Sequence, residues 1–383
     1  MKIRNLVSLT SGAPQGRDGS SHPPAISTLS WWAVGILACA VAAALIAWRP
    51  LLLSRRPALH ERHVARVDSG AALAIWRRSL TEGEDTPMRA EMTMTWRRHG
   101  VTHLAEAHVV QGARGRFRME YVRPSDANGR LVFSNGQIAW QYEPNRRLLA
   151  RTEMPPTSQE KDREAESLIE ANYRIVLESD HASAAGRPAY LIGLLPRQPG
   201  KSSQHRWIDR ATGKTLRIET RYTDGILARM VAYNRVTLPA VVTEADFRPM
   251  ASAGLRTVSA PSSLGALPQS AYAAELASVS LKPAAAPGFQ LMDFTSSRVG
   301  GKPALQLLYG DGIETLSIFV QRSAAVTSVP QHWRRADLNG VPVYENSDGH
   351  LNALSWTRGG WRYTALSHLT VPALEAAARS QLP

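Results

Sequence analysis

The sequence predicts a mainly β protein of the α+β class, two antiparallel β units behind an N-terminal membrane segment. Three observations predict it. Apolar and polar residues alternate with a period of two over several stretches. Six Asn-Gly or Asp-Gly pairs lie downstream of residue 120, at 128–129, 135–136, 224–225, 311–312, 339–340 and 348–349. Such pairs supply the positive φ angles that tight hairpin turns need. Between about 250 and 287 the composition shifts to Ala, Ser, Pro and Gly with few charges, which reads as a linker. At 383 residues the chain is too long for one compact domain.

Residues 1–30 form a short tail rich in Ser, Gly and Pro. Residues 31–48, WWAVGILACAVAAALIAW, carry no charge. As a helix they span about 27 Å, the thickness of a bilayer core. Trp31, Trp32 and Trp48 sit at the two ends, where an interfacial belt places them. Cys39, the only cysteine, is read as a small apolar residue of that span, so neither a disulfide framework nor a cysteine zinc site is available. Lys2, Arg4 and Arg17 precede the span and Arg49, Arg55, Arg56, Arg62 and Arg66 follow it. By the positive-inside rule alone the C-terminal part is cytosolic.

Asp68 is placed to cap a short helix in which Ala72, Ile75, Trp76 and Leu80 share one face. Ala90, Met92, Met94 and Trp96 then alternate with Glu91, Thr93, Thr95 and Arg97. A turn at His99-Gly100 leads to a strand over 101–110, and Phe117, Met119 and Tyr121 alternate with Arg116, Arg118 and Glu120 in a third. LVFSNGQIAWQY is the clearest hairpin. A helix is predicted from about Ser158 to Ala171, then strands at 173–177, 188–195, 207–209, 216–222 and 227–236. The linker holds a short helix near Ala273 to Ala277. The second β unit is centred on LQLLYGDGIETLSIFV and closes with Thr370 capping a helix.

Catalytic and metal-binding constellations do not emerge. Gly213-Lys214-Thr215 lacks the upstream glycine of a phosphate loop and lies between strands, so it reads as a turn. His103 and His108 face opposite sides of one strand and make no metal set. The formal charge of +13 is uneven: residues 89–151 hold 11 Arg against 5 acids, whereas 288–383 hold 8 basic against 7 acidic residues. Arg97, Arg98, Arg114, Arg116 and Arg118 are the anionic-surface candidates. They alternate with apolar residues as on the solvent side of a sheet, and no nucleic-acid recognition motif accompanies them. Anionic lipid headgroups are the expected counterpart.

Several segments together resemble the RseB/MucB family of sigma-E regulatory proteins, and more broadly the LolA-like lipoprotein-binding fold. LVFSNGQIAWQYEPNRRLLAR is similar to that superfamily's hairpin, GRPAYLIGLLPR to its Gly-Arg strand, and WIDRATGKTLRIETRYTDGILARMVAYNRV to the following meander. PGFQLMDF and LLYGDGIETLSIFVQ resemble the small C-terminal domain, with Gly310 where the family has Ser. The match covers residues 68–383. It departs at the N-terminus, where family members carry a cleaved signal and this chain reads as tethered.

The resemblance implies a half-open antiparallel β-barrel with covering helices over 68–249, the linker over 250–287 and a smaller β domain with a C-terminal helix over 288–383. It implies a non-catalytic regulator of envelope-stress sigma signalling, without cofactor or metal. Its expected partners are an anti-sigma factor-like membrane protein and a lipid or lipoprotein acyl chain, not nucleic acid. The alternative is a LolA-like carrier. On the family reading the chain is a single-pass protein of the bacterial inner membrane with its C-terminal domains in the periplasm, which conflicts with the charge rule. Met92, Met94 and Trp96 with Ile138, Trp140 and Tyr142 are the candidates for an acyl cavity, being soft or aromatic. Tyr309, Asp311 and Phe319 are the partner-binding candidates.

Overall fold

The structure is a computed structural model that describes residues 69–98, 100–125, 127–153, 159–248, 254–259, 287–299, 302–322, 333–348 and 350–380. It opens with helix α1 (Ser69–Leu80) and a single turn, α2 (Glu82–Asp85). Strands β1 (Met88–Arg98), β2 (Val101–Gln111), β3 (Arg116–Arg123), β4 (Leu131–Asn135), β5 (Ile138–Glu143) and β6 (Leu148–Glu153) follow. Helix α3 (Gln159–Asn172) leads to β7 (Tyr173–Ala184), β8 (Arg187–Pro196), β9 (Ser203–Asp209), β10 (Thr215–Arg221) and β11 (Leu227–Thr237). These join a short β12 (Arg256–Ser259) in one twelve-stranded sheet of order β12-β6-β5-β4-β3-β2-β1-β11-β10-β9-β8-β7.

The order explains the topology. The chain meanders outward from β1 to β6, crosses to the opposite edge through α3, and meanders back until β11 pairs with β1. β7 and β12 remain as edges, so the sheet is open. Every pairing is antiparallel except β12 with β6, which is parallel. β12 falls inside the stretch expected to be linker.

The second sheet is made of β13 (Gln290–Val299), β14 (Lys302–Gly310), β15 (Thr315–Arg322), β16 (Arg334–Leu338), β17 (Val341–Ser347), β18 (Asn352–Arg358) and β19 (Trp361–Ser367). Its order is β13-β14-β15-β19-β18-β17-β16. Helix α4 (Val371–Arg379) covers one face, burying Leu374, Ala377 and Ala378 against Leu307, Ile318, Val320 and Trp356. Thr370 precedes that helix but makes no side-chain cap bond. Pro372 in the first turn starts it without one, because an amide there has no helical partner to lose.

The turn chemistry is more specific than expected. Among the described pairs only Asn339-Gly340 has positive φ at both residues, +56° and +81°. At 135–136, 224–225 and 311–312 the Asx side chain instead accepts amide hydrogens two or three residues on, and the glycine alone is left-handed. An Asx turn followed by a left-handed glycine is a second route to a hairpin. Gly349 and the helix expected near 273–277 lie outside the described residues.

The single-pass inner-membrane location is corrected. Among the described residues no helix is long and apolar enough to cross a membrane. The longest, α3, has 14 residues and the charged sequence QEKDREAESLIEAN. Its rise of about 21 Å falls short of a bilayer core. The span expected at 31–48 lies outside the described residues.

One buried carboxylate fixes the β9–β10 turn. Asp209, 1% exposed, accepts from Arg187 Nε at 2.6 Å, Thr212 N at 2.9 Å and Thr212 Oγ1 at 2.9 Å. Burial alone would raise this carboxyl, but the hydrogen bonds from Arg187 and Thr212 outweigh it and hold it below the ordinary value. A depressed folded value gives stability that is present above the unfolded value of about 3.9 and is lost as pH falls through the folded one. The urea midpoint should therefore drop less between about pH 5 and pH 2 in Asp209→Asn than in wild type. Equal drops would show that Asp209 carries none of the acid sensitivity.

Candidate functional site: the sheet junction and the helix-covered face

The two sheets meet through a buried polar knot. The Asp311-Gly312 turn of the β14–β15 hairpin enters the first sheet's territory, between the end of α3 and the loop before β9. Asp311, fully buried, accepts from Lys201 Nζ at 2.7 Å and from the Tyr173 hydroxyl at 3.1 Å to each carboxylate oxygen. Its Oδ1 also accepts the amides of Ile313 at 3.0 Å and Glu314 at 2.8 Å. Burial, followed by the charges of Asp311 and Glu314, pushes the Tyr173 phenol far up. Tyr173 therefore stays protonated and donates.

Four further bonds cross the junction. Asn172 Nδ2 donates to Gly288 O at 2.8 Å and to Asp311 O at 3.1 Å, the Ser202 amide donates to Glu314 Oε1 at 3.1 Å, and the Thr370 amide donates to Gly200 O at 3.1 Å. Lys201 Nζ also stands 4.7 Å from the centre of the Phe289 ring. Close approach requires glycine at 312, where a Cβ would sit 2.4 Å from Ile169 Cγ1 and φ is +101°. A second contact lies at the hairpin ends: Tyr222 stacks on His350 with centroids 3.9 Å apart and planes 2° from parallel. Burial pushes that phenol up to about 12.

The face of the first sheet that α1 covers is largely apolar, interrupted by the buried Arg206. The register places Met94, Val231, Ile218, Arg206 and Ile192 in one row across five strands. α1 closes one end: Ala72 and Trp76, both fully buried, pack with Ile169, Tyr173, Ile192, Leu194 and Ile208. Arg77 ties α1 to α3 through Glu166 and Glu170, each at 2.7 Å. Toward the other end Met88, Met92 and Met94 pack with Val109, Phe117, Tyr121 and Tyr233, so the sheet's own side chains fill this region.

The six acyl-cavity candidates divide. Met92 and Met94 are buried in that cluster, with Trp96 partly buried against it and stacked on His103 at 5.4 Å. Ile138, Trp140 and Tyr142 belong to a separate cluster with Leu131, Phe133 and Leu149. Following directly paired residues from Met92 to Ala107 to Tyr121, and from Met119 to Val132 to Gln141, shows why. Gln141 shares the face of Met92, so Trp140 points to the opposite one. The structure does not bring the two sets together.

The basic candidates are dispersed. The Arg116 guanidinium lies over the Phe247 ring at 5.4 Å and donates to Glu244, and Arg118 pairs with Glu120 at 3.7 Å. Arg114 is exposed at a left-handed turn position with φ +58°. Arg97 is half-buried on the face opposite Trp96, and the Arg98 side chain lies outside those described. Of the partner candidates, Tyr309 is a core residue of the second sheet, Asp311 is the centre of the junction, and Phe319 is 5% exposed. None of the three presents its side chain to solvent, as a docking residue must.

Sequence reasoning missed the junction residues Asn172, Tyr173 and Lys201. Asp311-Gly312 was the one visible signal, as a hairpin turn. Its role as an acceptor for Lys201 depends on a contact between residues 110 positions apart.

The sequence matches no protein-family model and no curated protein. The fold does match solved structures. A chain of the Pseudomonas aeruginosa MucA/MucB complex aligns with a TM-score of 0.53 at 17% identity, over 80% of this chain and 97% of that one. MucB in complex with MucA(peri) aligns with a TM-score of 0.53 at 18% identity, over 81% and 97%. The chain therefore has a MucB-like fold, with both sheets included.

Proposed function

We propose that this protein is a binding regulator of the MucB kind. Its parts are a β domain over 68–249, a linker over 250–287 and a smaller β domain over 288–383. The observation that carries the reading is the MucB-like fold over four-fifths of the chain, in a likeness to a protein solved with MucA bound. The partner of this reading is the extracytoplasmic segment of an anti-sigma factor. The buried junction favours such a role, because two sheets held in fixed relation offer one composite surface to an extended peptide.

The ligand of this reading is a lipid or lipoprotein acyl chain on the α1-covered face. Met88, Met92 and Met94 fill the site, and flexible thioether side chains repack at low cost. Acyl occupancy would move the covering helices and so weaken the grip on the partner. Purification of the full chain in mild detergent, followed by mass spectrometry of lipids and co-purifying proteins, tests this. The expected result is a stoichiometric acyl lipid or an anti-sigma-like protein, and recovery of neither overturns the reading.

A further inference from the structure

The outer face of the first sheet, opposite α1, holds a second group of interacting polar side chains. Ser203 and His205 lie two apart on β9 and share that face. His205 Nδ1 stands 2.9 Å from Glu178 Oε2, and His205 Nε2 stands 3.4 Å from Ser203 Oγ. A carboxylate only accepts, so Glu178 places the imidazole proton on Nδ1 and leaves Nε2 as a base toward the serine hydroxyl.

Two features of the backbone make this reach available. Glu178 sits in a β-bulge, between Leu177 paired with Ile192 and Ser179 paired with Leu191. It must also cross β8 to meet β9, and it does so over Gly193, which is paired directly with His205. A Cβ on Gly193 would stand 2.4 Å from Glu178 Oε1. The His205 and Glu178 side chains are 19% and 25% exposed, so small molecules reach the group.

The geometry points to Ser203 as an activated nucleophile that accepts acyl groups from small esters with good leaving groups, aryl esters or thioesters. As Ser203 Oγ bonds to the carbonyl carbon, its proton passes to His205 Nε2. Collapse breaks the bond to the leaving group, which takes that proton and departs as the phenol or thiol. Water then repeats the sequence on the acyl-serine and releases the carboxylic acid. A good leaving group is required because the neighbouring Ser202 amide is already engaged by Glu314 and is not free to stabilise an oxyanion. Ser203 and His205 touch the reacting atoms, whereas Glu178 is a positioning residue.

The test treats the full chain with an alkyl fluorophosphonate and maps the adduct by peptide mass spectrometry. Labelling of Ser203 is expected, with none in Ser203→Ala and a rate about a hundredfold lower in His205→Gln. In Glu178→Gln and Gly193→Ala the rate constant of the covalent step should fall while the probe concentration for half-maximal rate stays unchanged. No adduct at Ser203 in the wild type, or labelling of undiminished rate in His205→Gln, would overturn the assignment. Wild-type mapping alone decides it should a variant fail to fold.

Discussion

Asp311→Ala should destabilise the protein by about 3–5 kcal/mol, the usual cost of stranding one member of a buried ion pair. The Lys201 ammonium, with a side chain 4% exposed, would lose its 2.7 Å partner, and the Tyr173 hydroxyl would lose its only carboxylate acceptor among the described bonds. The turn amides of Ile313 and Glu314 would be uncapped in the same step. Because Lys201 and Tyr173 reach Asp311 from the first sheet, unfolding should split into two transitions, the second sheet melting apart from the first. Lys201→Met combined with Asp311→Asn should recover part of the loss, since it removes both charges and keeps a side-chain acceptor for the turn. A urea titration followed separately by Trp fluorescence and hydrogen exchange reads both effects. A single transition with a cost below about 1 kcal/mol, the worth of an exposed pair, would show that the knot does not couple the sheets.

Trp76→Ala should cost a comparable amount, about 3–5 kcal/mol for a fully buried large aromatic. The cavity would open between α1 and Ile192, Leu194 and Ile208, and the helix would lose its main hold on the sheet. Trp76→Phe should be far milder. Among the described residues the Trp76 Nε1 is buried without a hydrogen-bond partner, so the smaller ring removes an unsatisfied donor while it gives up some packing. Equal losses in the two variants would contradict this account of the helix. Amide exchange of residues 69–80 provides the local readout, with strong acceleration expected in the alanine variant only.

Local pattern and long-range contact were not equally legible in the sequence. Alternation in Met92-Met94-Trp96 and in Phe117-Met119-Tyr121 gave the strands and their buried faces, because the period of a strand is a local property. The helix at 159–172 and the closing helix were legible for the same reason. Which face of one strand joins which face of another was not. Trp140 and Met92 both read as inward-facing, yet five strands of register place them on opposite sides. Tyr309 and Asp311 stand in a hairpin that looks like a surface motif. Tyr309 is buried in the core of its own sheet, and Asp311 is buried because Lys201 and Tyr173, over a hundred residues earlier, close around it. Ser203 and His205 fell outside the strand expected at 207–209, and Glu178 reaches them only through a bulge and a bare glycine.

On the proposed function, a partner is gripped by two sheets held in fixed relation. Calorimetric titration of the full chain with the extracytoplasmic segment of its own genome's anti-sigma factor tests that most directly. Saturable one-to-one binding with a Kd below about 10 µM is expected, weakened at least about tenfold in Asp311→Ala. Absence of saturable binding by the wild type, or equal affinity in wild type and Asp311→Ala, would contradict it.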